Sequence, residues 1–153
     1  MDNHQHPDSP EQEQRELDSK LVEQFIKDGH FPEDDLYMFL DATIEEFFED
    51  LLTQAGMKKS EVIREANISR RYGYQILNGT RTAHRDYYLR IALVLKLDLR
   101  TTQRMLALAQ VGSLHPLIKR DAAIIYTINQ GYDNYEAYDF MVALGLTPLE
   151  KDE

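Results

Sequence analysis

"GMKKSEVIREANISRRYGYQILNG", Gly56–Gly79, is the stretch on which the fold turns. Within it, Lys59–Ala66 places Val62, Ile63 and Ala66 at helical spacing, which predicts one short helix. Asn67 follows, and asparagine is among the few non-glycine residues that accept a left-handed backbone, so the chain is expected to turn there. Ser69 is then a natural N-cap for a second short helix through about Leu77, and the Asn78–Gly79 pair is its stop.

Working outward, the same rules predict a helix on either side of this pair. Thr43 and Glu46 form a Thr-x-x-Glu capping box that opens a helix to Gly56, with Ile44, Phe47, Phe48, Leu51, Leu52 and Ala55 facing inward. After a polar loop, Arg85–Lys96 carries Leu89, Ala92, Leu93 and Val94, and Thr101–Gln110 carries Met105, Leu106, Leu108 and Ala109. Two more helices close the chain. Pro116–Asn129 presents Ile118, Ala122, Ile125 and Ile128, and Asp133 with Glu136 repeats the capping-box signature for a helix stopping before Gly145. At the other end, residues 1–16 read as a disordered acidic tail. Leu17, Leu21, Val22, Phe25 and Ile26 form a helical stripe ending at Gly29, and His30–Asp41 reads as a connector. No stretch alternates strictly, so the fold class is all-α. The expected domains are the tail 1–16, an N-terminal helix and connector 17–41, a five-helix unit 42–111 and a two-helix extension 112–153.

Charge divides the chain in the same way. The net charge of −10 conceals three blocks. Residues 1–55 hold 16 acids and 3 bases (−13), residues 56–120 hold 4 acids and 13 bases (+9), and residues 121–153 hold 7 acids and 1 base (−6). A basic middle between acidic ends points to a polyanionic partner for the middle, or to neutralisation of the middle by the ends. There is no cysteine, which excludes disulfides, thiolate metal sites and cysteine nucleophiles and suits a reducing compartment. No apolar run reaches membrane-spanning length and the first residues are polar, so a cytoplasmic protein is expected.

Two short helices about three residues apart, the second capped by Ser, match the helix-turn-helix spacing. On the second of them, Arg71, Tyr74, Gln75 and Asn78 stand at i, i+3, i+4 and i+7 and share one face, while Tyr72 and Ile76, with Gly73 and Leu77 beside them, lie on the other. Arg matches the acceptor atoms of guanine, and Gln or Asn matches adenine, in the geometry that the major groove permits. Arg71, Tyr74, Gln75 and Asn78 are therefore the candidate base readers. Lys59, Ser69, Arg70, Thr80 and Arg81 flank them as candidate phosphate contacts.

The segments "GMKKSEVIREANIS", "ILNGTR" and "LRIALVLKLDL" resemble the Cro/phage-repressor-like (XRE-type) helix-turn-helix regulators over roughly residues 43–110. The tail "RDAAIIYTINQGYDNYEAYDFMVALGLTPL" is similar to the end of a bacterial subgroup of them. The resemblance implies a DNA-binding transcription regulator whose third helix, about 69–77 here, enters the major groove. A homodimer on double-stranded DNA is expected, because one recognition helix reads only a half-site and pairing supplies affinity and spacing. The chain departs from the pattern at Gly73, where relatives carry an apolar residue, and at Lys59, where they carry Gln at the start of the second helix. Glycine inside a helix costs about 0.5–1 kcal/mol relative to Ala, and the gain at Gly73 is room for close approach.

An enzyme is not expected: there is no phosphate-binding glycine loop and no His-Glu-x-x-His metal site, and the five histidines are scattered. No cofactor or metal is expected. The alternative to a DNA-binding regulator is a protein-interaction adaptor built on the same domain, with the acidic N-terminal segment docking a basic partner or autoinhibiting the DNA face. Protein partners are expected through that segment or through the C-terminal helices 116–144, where Tyr135 and Tyr138 share a face.

Overall fold

Thr43 opens the first helix as the capping box requires: its Oγ1 accepts from the Glu46 amide at 3.1 Å, and its own amide donates to Glu46 Oε1 at 3.2 Å. The computed structural model describes residues 43–151. The tail 1–16, the stripe Leu17–Ile26 and the connector His30–Asp41 lie outside the described residues. Among the described residues the chain is all-helical, with no strand. In order the helices are α1 Ile44–Ala55, α2 Lys59–Glu65, α3 Arg70–Leu77, α4 Arg85–Leu95, α5 Leu99–Ala109, α6 Lys119–Gln130 and α7 Asn134–Ala143.

Local chemistry sets most of these boundaries. Asn67 takes the left-handed backbone (φ 58°) expected of it, and Ser69 stands at the N-cap position of α3, although its side chain makes no capping hydrogen bond. Four expectations need correction. Helix α5 begins at Leu99 rather than Thr101, because Asp98 is its N-cap and its carboxylate accepts from the Thr101 amide at 2.8 Å. Helix α6 begins at Lys119 rather than Pro116. The residues before it form their own turn, with the Ile118 amide donating to the His115 carbonyl at 3.0 Å and the Leu117 amide to His115 Nδ1 at 3.1 Å. Ala55, expected inward, is exposed, and Ile118 is 54 % exposed. A lone methyl in a last helical turn loses little by facing water.

The core forms where α1 and α4 meet. Phe48 stacks on Tyr88 with ring centroids 6.3 Å apart, and Ile76, Leu77, Leu89, Ile91, Met105 and Leu106 are completely buried around them. Burial pushes the Tyr88 phenol up from its ordinary pKa, with the Ala83 amide donating to its oxygen at 3.3 Å in partial opposition. Helices α6 and α7 pack on each other and against α5 and α4, so the C-terminal pair belongs to one compact unit with α1–α5.

A reciprocal pair of ion bridges ties the extension on. The sequence contains the dipeptide Arg-Asp at 85–86 and again at 120–121. Arg85 grips Asp121 through two hydrogen bonds (2.6 and 3.1 Å), and Arg120 grips Asp86 through two more (2.8 and 3.2 Å). Asp86 is 2 % exposed and also accepts from the Glu150 amide at 2.9 Å. Burial favours its protonated form, but the bonds from Arg120 and the Glu150 amide outweigh burial and hold its carboxyl below the ordinary value of 3.8. Arg120 donates onward to the carbonyls of Thr147 (2.9 Å) and Pro148 (3.0 Å), which lays the last residues against the first turn of α4 with Leu149 buried.

Candidate nucleic-acid interface

Gly73 decides how α3 sits. It is buried against α2, and a Cβ built on it would stand 2.6 Å from both Cγ1 and Cγ2 of Ile63. The room expected at this position is therefore taken by α2, and no larger residue leaves the two helices at this spacing. Ile76 and Leu77 are buried on the same side. The opposite side holds Arg71, which is exposed, and Tyr74, Gln75 and Asn78, which are half-buried. The backbone thus brings the four expected side chains onto one accessible face.

The flanks are organised by cations on rings. The Arg81 guanidinium lies 4.9 Å from the centroid of Tyr72, whose own ring meets Tyr87 of α4 edge-on at 5.1 Å. Arg70 lies 5.7 Å from the Tyr74 ring, one helical turn along. Such contacts are worth about 0.5–1 kcal/mol at exposed sites, enough to bias where each guanidinium rests. Ser69, Arg70, Thr80 and Arg81 are all exposed, and Thr80 donates to the Gln75 carbonyl at 3.4 Å.

Lys59 is half-buried at the start of α2, and its ammonium donates to Asn78 Oδ1 at 2.5 Å. An ammonium can only donate, so the amide oxygen of Asn78 must face Lys59 and its NH₂ group is what remains for a partner. Sequence reading placed these two residues in separate sets; the fold places them in contact, 19 positions apart.

Other arginines are occupied by the fold. Arg90 is 6 % exposed, and its Nε donates to the Ala66 carbonyl at 2.6 Å, pinning the end of α2 to α4. Burial lowers its pKa from the ordinary arginine value, with Asp86, Tyr87 and Tyr135 acting in the opposite direction. Arg85 is committed to Asp121 and to the Ser113 carbonyl at 3.1 Å. Arg85 and Arg90 are thereby committed within the fold.

Helix polarity sharpens the electrostatics. The first turn of α3 contains Arg70 and Arg71 and no acid, so two cations stand at the positive end of a helix. Each such placement costs about 0.3–1 kcal/mol, and local rules are broken in this way mainly where a surface serves a ligand.

One further cluster has donor chemistry. His84, Asp86 and Glu150 bring ligand-type atoms within 4.8 Å of one another. Asp86 is already saturated by Arg120 and the Glu150 amide, and His84 Nδ1 accepts from the Asp86 amide at 3.1 Å as the N-cap of α4. The cluster is spent on holding the chain end in place.

No protein-family model, no curated protein and no solved structure matches this chain.

Proposed function

We propose that residues 43–110 bind double-stranded DNA, that α3 reads the major groove, and that the chain is a sequence-specific transcription regulator of the Cro/phage-repressor-like, XRE-type kind. The observation that carries this reading is the face shared by the exposed Arg71 and the half-buried Tyr74, Gln75 and Asn78. It stands on a helix whose first turn is cationic and uncompensated, within a segment of net charge +9. Arg71 offers a guanidinium for guanine, and Gln75 offers an amide for adenine. Asn78, with its oxygen on Lys59, offers NH₂ to an acceptor atom and so is suited to a single bond rather than a two-point adenine contact. Arg70 and Arg81, biased by Tyr74 and Tyr72, and Ser69 and Thr80 supply phosphate contacts that fix position without reading sequence.

The test is selection of duplexes from a random or genomic pool by the purified full chain, followed by titration against salt. A single enriched motif whose affinity falls with salt by about 0.9 log unit per log unit for each phosphate contact supports the reading. Absence of any enriched duplex motif rejects it and leaves the adaptor function for the same surface.

A further inference from the structure

We infer that the cleft between the end of α2, the end of α4 and the start of α7 binds a small aromatic carboxylate, held by the Arg90 guanidinium. The cleft measures about 700 Å³, within the range of about 300–1,000 Å³ that small-molecule sites occupy. Leu93 and Val94 of α4 and Tyr135 and Tyr138 of α7 line it, together with Arg90 and Asn134. None of the residues proposed to touch DNA does so, and the inference stands apart from that reading.

Arg90 supplies the anion site. It is 6 % exposed, yet it gives the fold only its Nε, which donates to the Ala66 carbonyl. Its two terminal nitrogens form no hydrogen bond among the described residues, and neither is sealed from solvent, so both are left to the cleft. A pair of parallel N–H groups is the match of a carboxylate's two oxygens. Asp86, the carboxylate that acts on this charge from within the fold, is itself bonded to Arg120. Burial disfavours the Arg90 charge and lowers its pKa, an effect that a carboxylate in the cleft would offset.

What surrounds the guanidinium selects the rest of the ligand. Glu65, Asp133 and Asp139 stand at the cleft and disfavour a phosphate dianion far more than a single charge. The other cations there compete weakly. Lys96 donates to the Gly131 carbonyl at 2.6 Å, the Lys151 ammonium lies 5.9 Å from the Tyr138 ring, and Arg64 is exposed, where an ion pair is worth little. Leu93, Val94 and the two tyrosines offer apolar and aromatic faces to a ring. Asn134 adds a preference. Its NH₂ donates to the Arg90 carbonyl at 3.2 Å, which can only accept, and so fixes the orientation of the amide. Its Oδ1 is enclosed and receives no hydrogen bond among the described residues, an uncommon and costly arrangement. A small turn of the amide toward the cleft would let a hydroxyl on the ligand donate to it.

Titration of the full chain with benzoate, phenylacetate and para-hydroxyphenylacetate, followed by amide NMR without DNA, tests the site. At least one acid should bind with a Kd of about 1 mM or tighter and shift amides around the cleft, Asn67, Val94, Lys96, Asn134 and Tyr135 among them. The primary amide of that acid has its shape without its charge and should bind about tenfold more weakly or worse, and inorganic phosphate should not displace the acid. Arg90→Lys keeps the charge but loses the paired N–H groups, and it should weaken binding about tenfold. Because Arg90 also holds Ala66, Val94→Glu gives a second variant at a half-buried position outside that bond. It sets a carboxylate in the cleft and should weaken binding as much, with circular dichroism and thermal unfolding showing that the fold survives. No saturable shift with any of the three acids up to about 10 mM overturns the inference. So does an amide that binds like its acid, displacement by phosphate, or binding indifferent to either substitution. A chain that selects a duplex motif but binds no acid rejects the cleft and keeps the DNA reading; one that binds an acid and selects no duplex does the reverse.

Discussion

The two exposed surfaces of this unit are built on opposite rules. Around α3 every large apolar group is turned inward, and what faces water is Arg, Tyr, Gln and Asn. On α7 the polar residues frame the surface and Tyr135, Tyr138 and Val142 occupy it. A charged face gains its partner through long-range attraction that salt weakens, and it stays monomeric until that partner arrives. An apolar face gains its partner through burial, which salt barely weakens. The difference teaches that one compact unit can carry two chemically distinct surfaces, held together by packing and by the reciprocal Arg-Asp bridges.

Breaking those bridges should therefore have the largest effect. Asp86→Ala leaves Arg120, whose side chain is 25 % exposed, without its carboxylate, so the loss should stand at the lower end of the about 3–5 kcal/mol that breaking a buried pair costs. Urea unfolding should show the whole loss in one transition if the C-terminal pair and α1–α5 unfold together, and two transitions if the bridges alone couple them. The same carboxylate sets an acid limit. Its folded pKa lies below 3.8, so its contribution is complete above that value and is lost as pH falls through the lower, folded value. Asp86→Asn should remove that part of the acid sensitivity; an unchanged acid profile would mean that other carboxylates dominate.

Next in size is the contact on which the α3 face depends. In most exposed helices Gly→Ala stabilises by about 0.5–1 kcal/mol. At Gly73 the new methyl meets Ile63 at 2.6 Å, so the sign should reverse and cost about 1–3 kcal/mol. With Ile63→Ala already in place, Gly73→Ala should regain the ordinary stabilising sign, measured as a double-mutant cycle in urea. If Gly73→Ala stabilises the unaltered protein, α2 and α3 are not as close as described.

A smaller effect joins the two sets of α3 residues. Lys59 and Asn78 share one charge-assisted hydrogen bond that is part-buried, for which a coupling of about 0.5–1.5 kcal/mol is expected. Lys59→Ala and Asn78→Ala should then be non-additive in unfolding. Were the cycle additive, the two residues would act separately and Asn78 would regain both halves of its amide.

How much of this was legible in the sequence follows from the range of the forces. Signals spanning three or four residues were readable: the Thr43–Glu46 and Asp133–Glu136 capping boxes, the left-handed Asn67, and the shared face of Arg71, Tyr74, Gln75 and Asn78 all recur in the fold. Misplaced boundaries arose where two local readings competed. Thr101 suggests a helix start where Asp98 already caps the helix two residues earlier, and Pro116 suggests one where His115 instead organises a separate turn. Contacts between distant positions left no trace. Nothing in the residues around Arg85 and Asp86 announces Arg120 and Asp121, and the partner of Lys59 lies 19 positions on. The tyrosines of α7 showed a shared face, but that they stay in water beside a buried Met141 needed the packing of α6.

The smallest effect on stability should come from the residue that matters most to the proposed reading. Arg71 is exposed in the first turn of α3, at the positive end of the helix dipole and beside Arg70. Arg71→Ala removes an unfavourable cation and inserts the best helix former, so unfolding should be unchanged or shifted upward by about 0.3–1 kcal/mol. Duplex binding should move the other way, with preference at one base pair relaxed by about 1–3 kcal/mol. An Arg71→Ala protein that is destabilised would show that the α3 face belongs to the fold, and the contrast between the two surfaces would collapse. One that is more stable and less discriminating would show a surface kept at the expense of stability for what it touches.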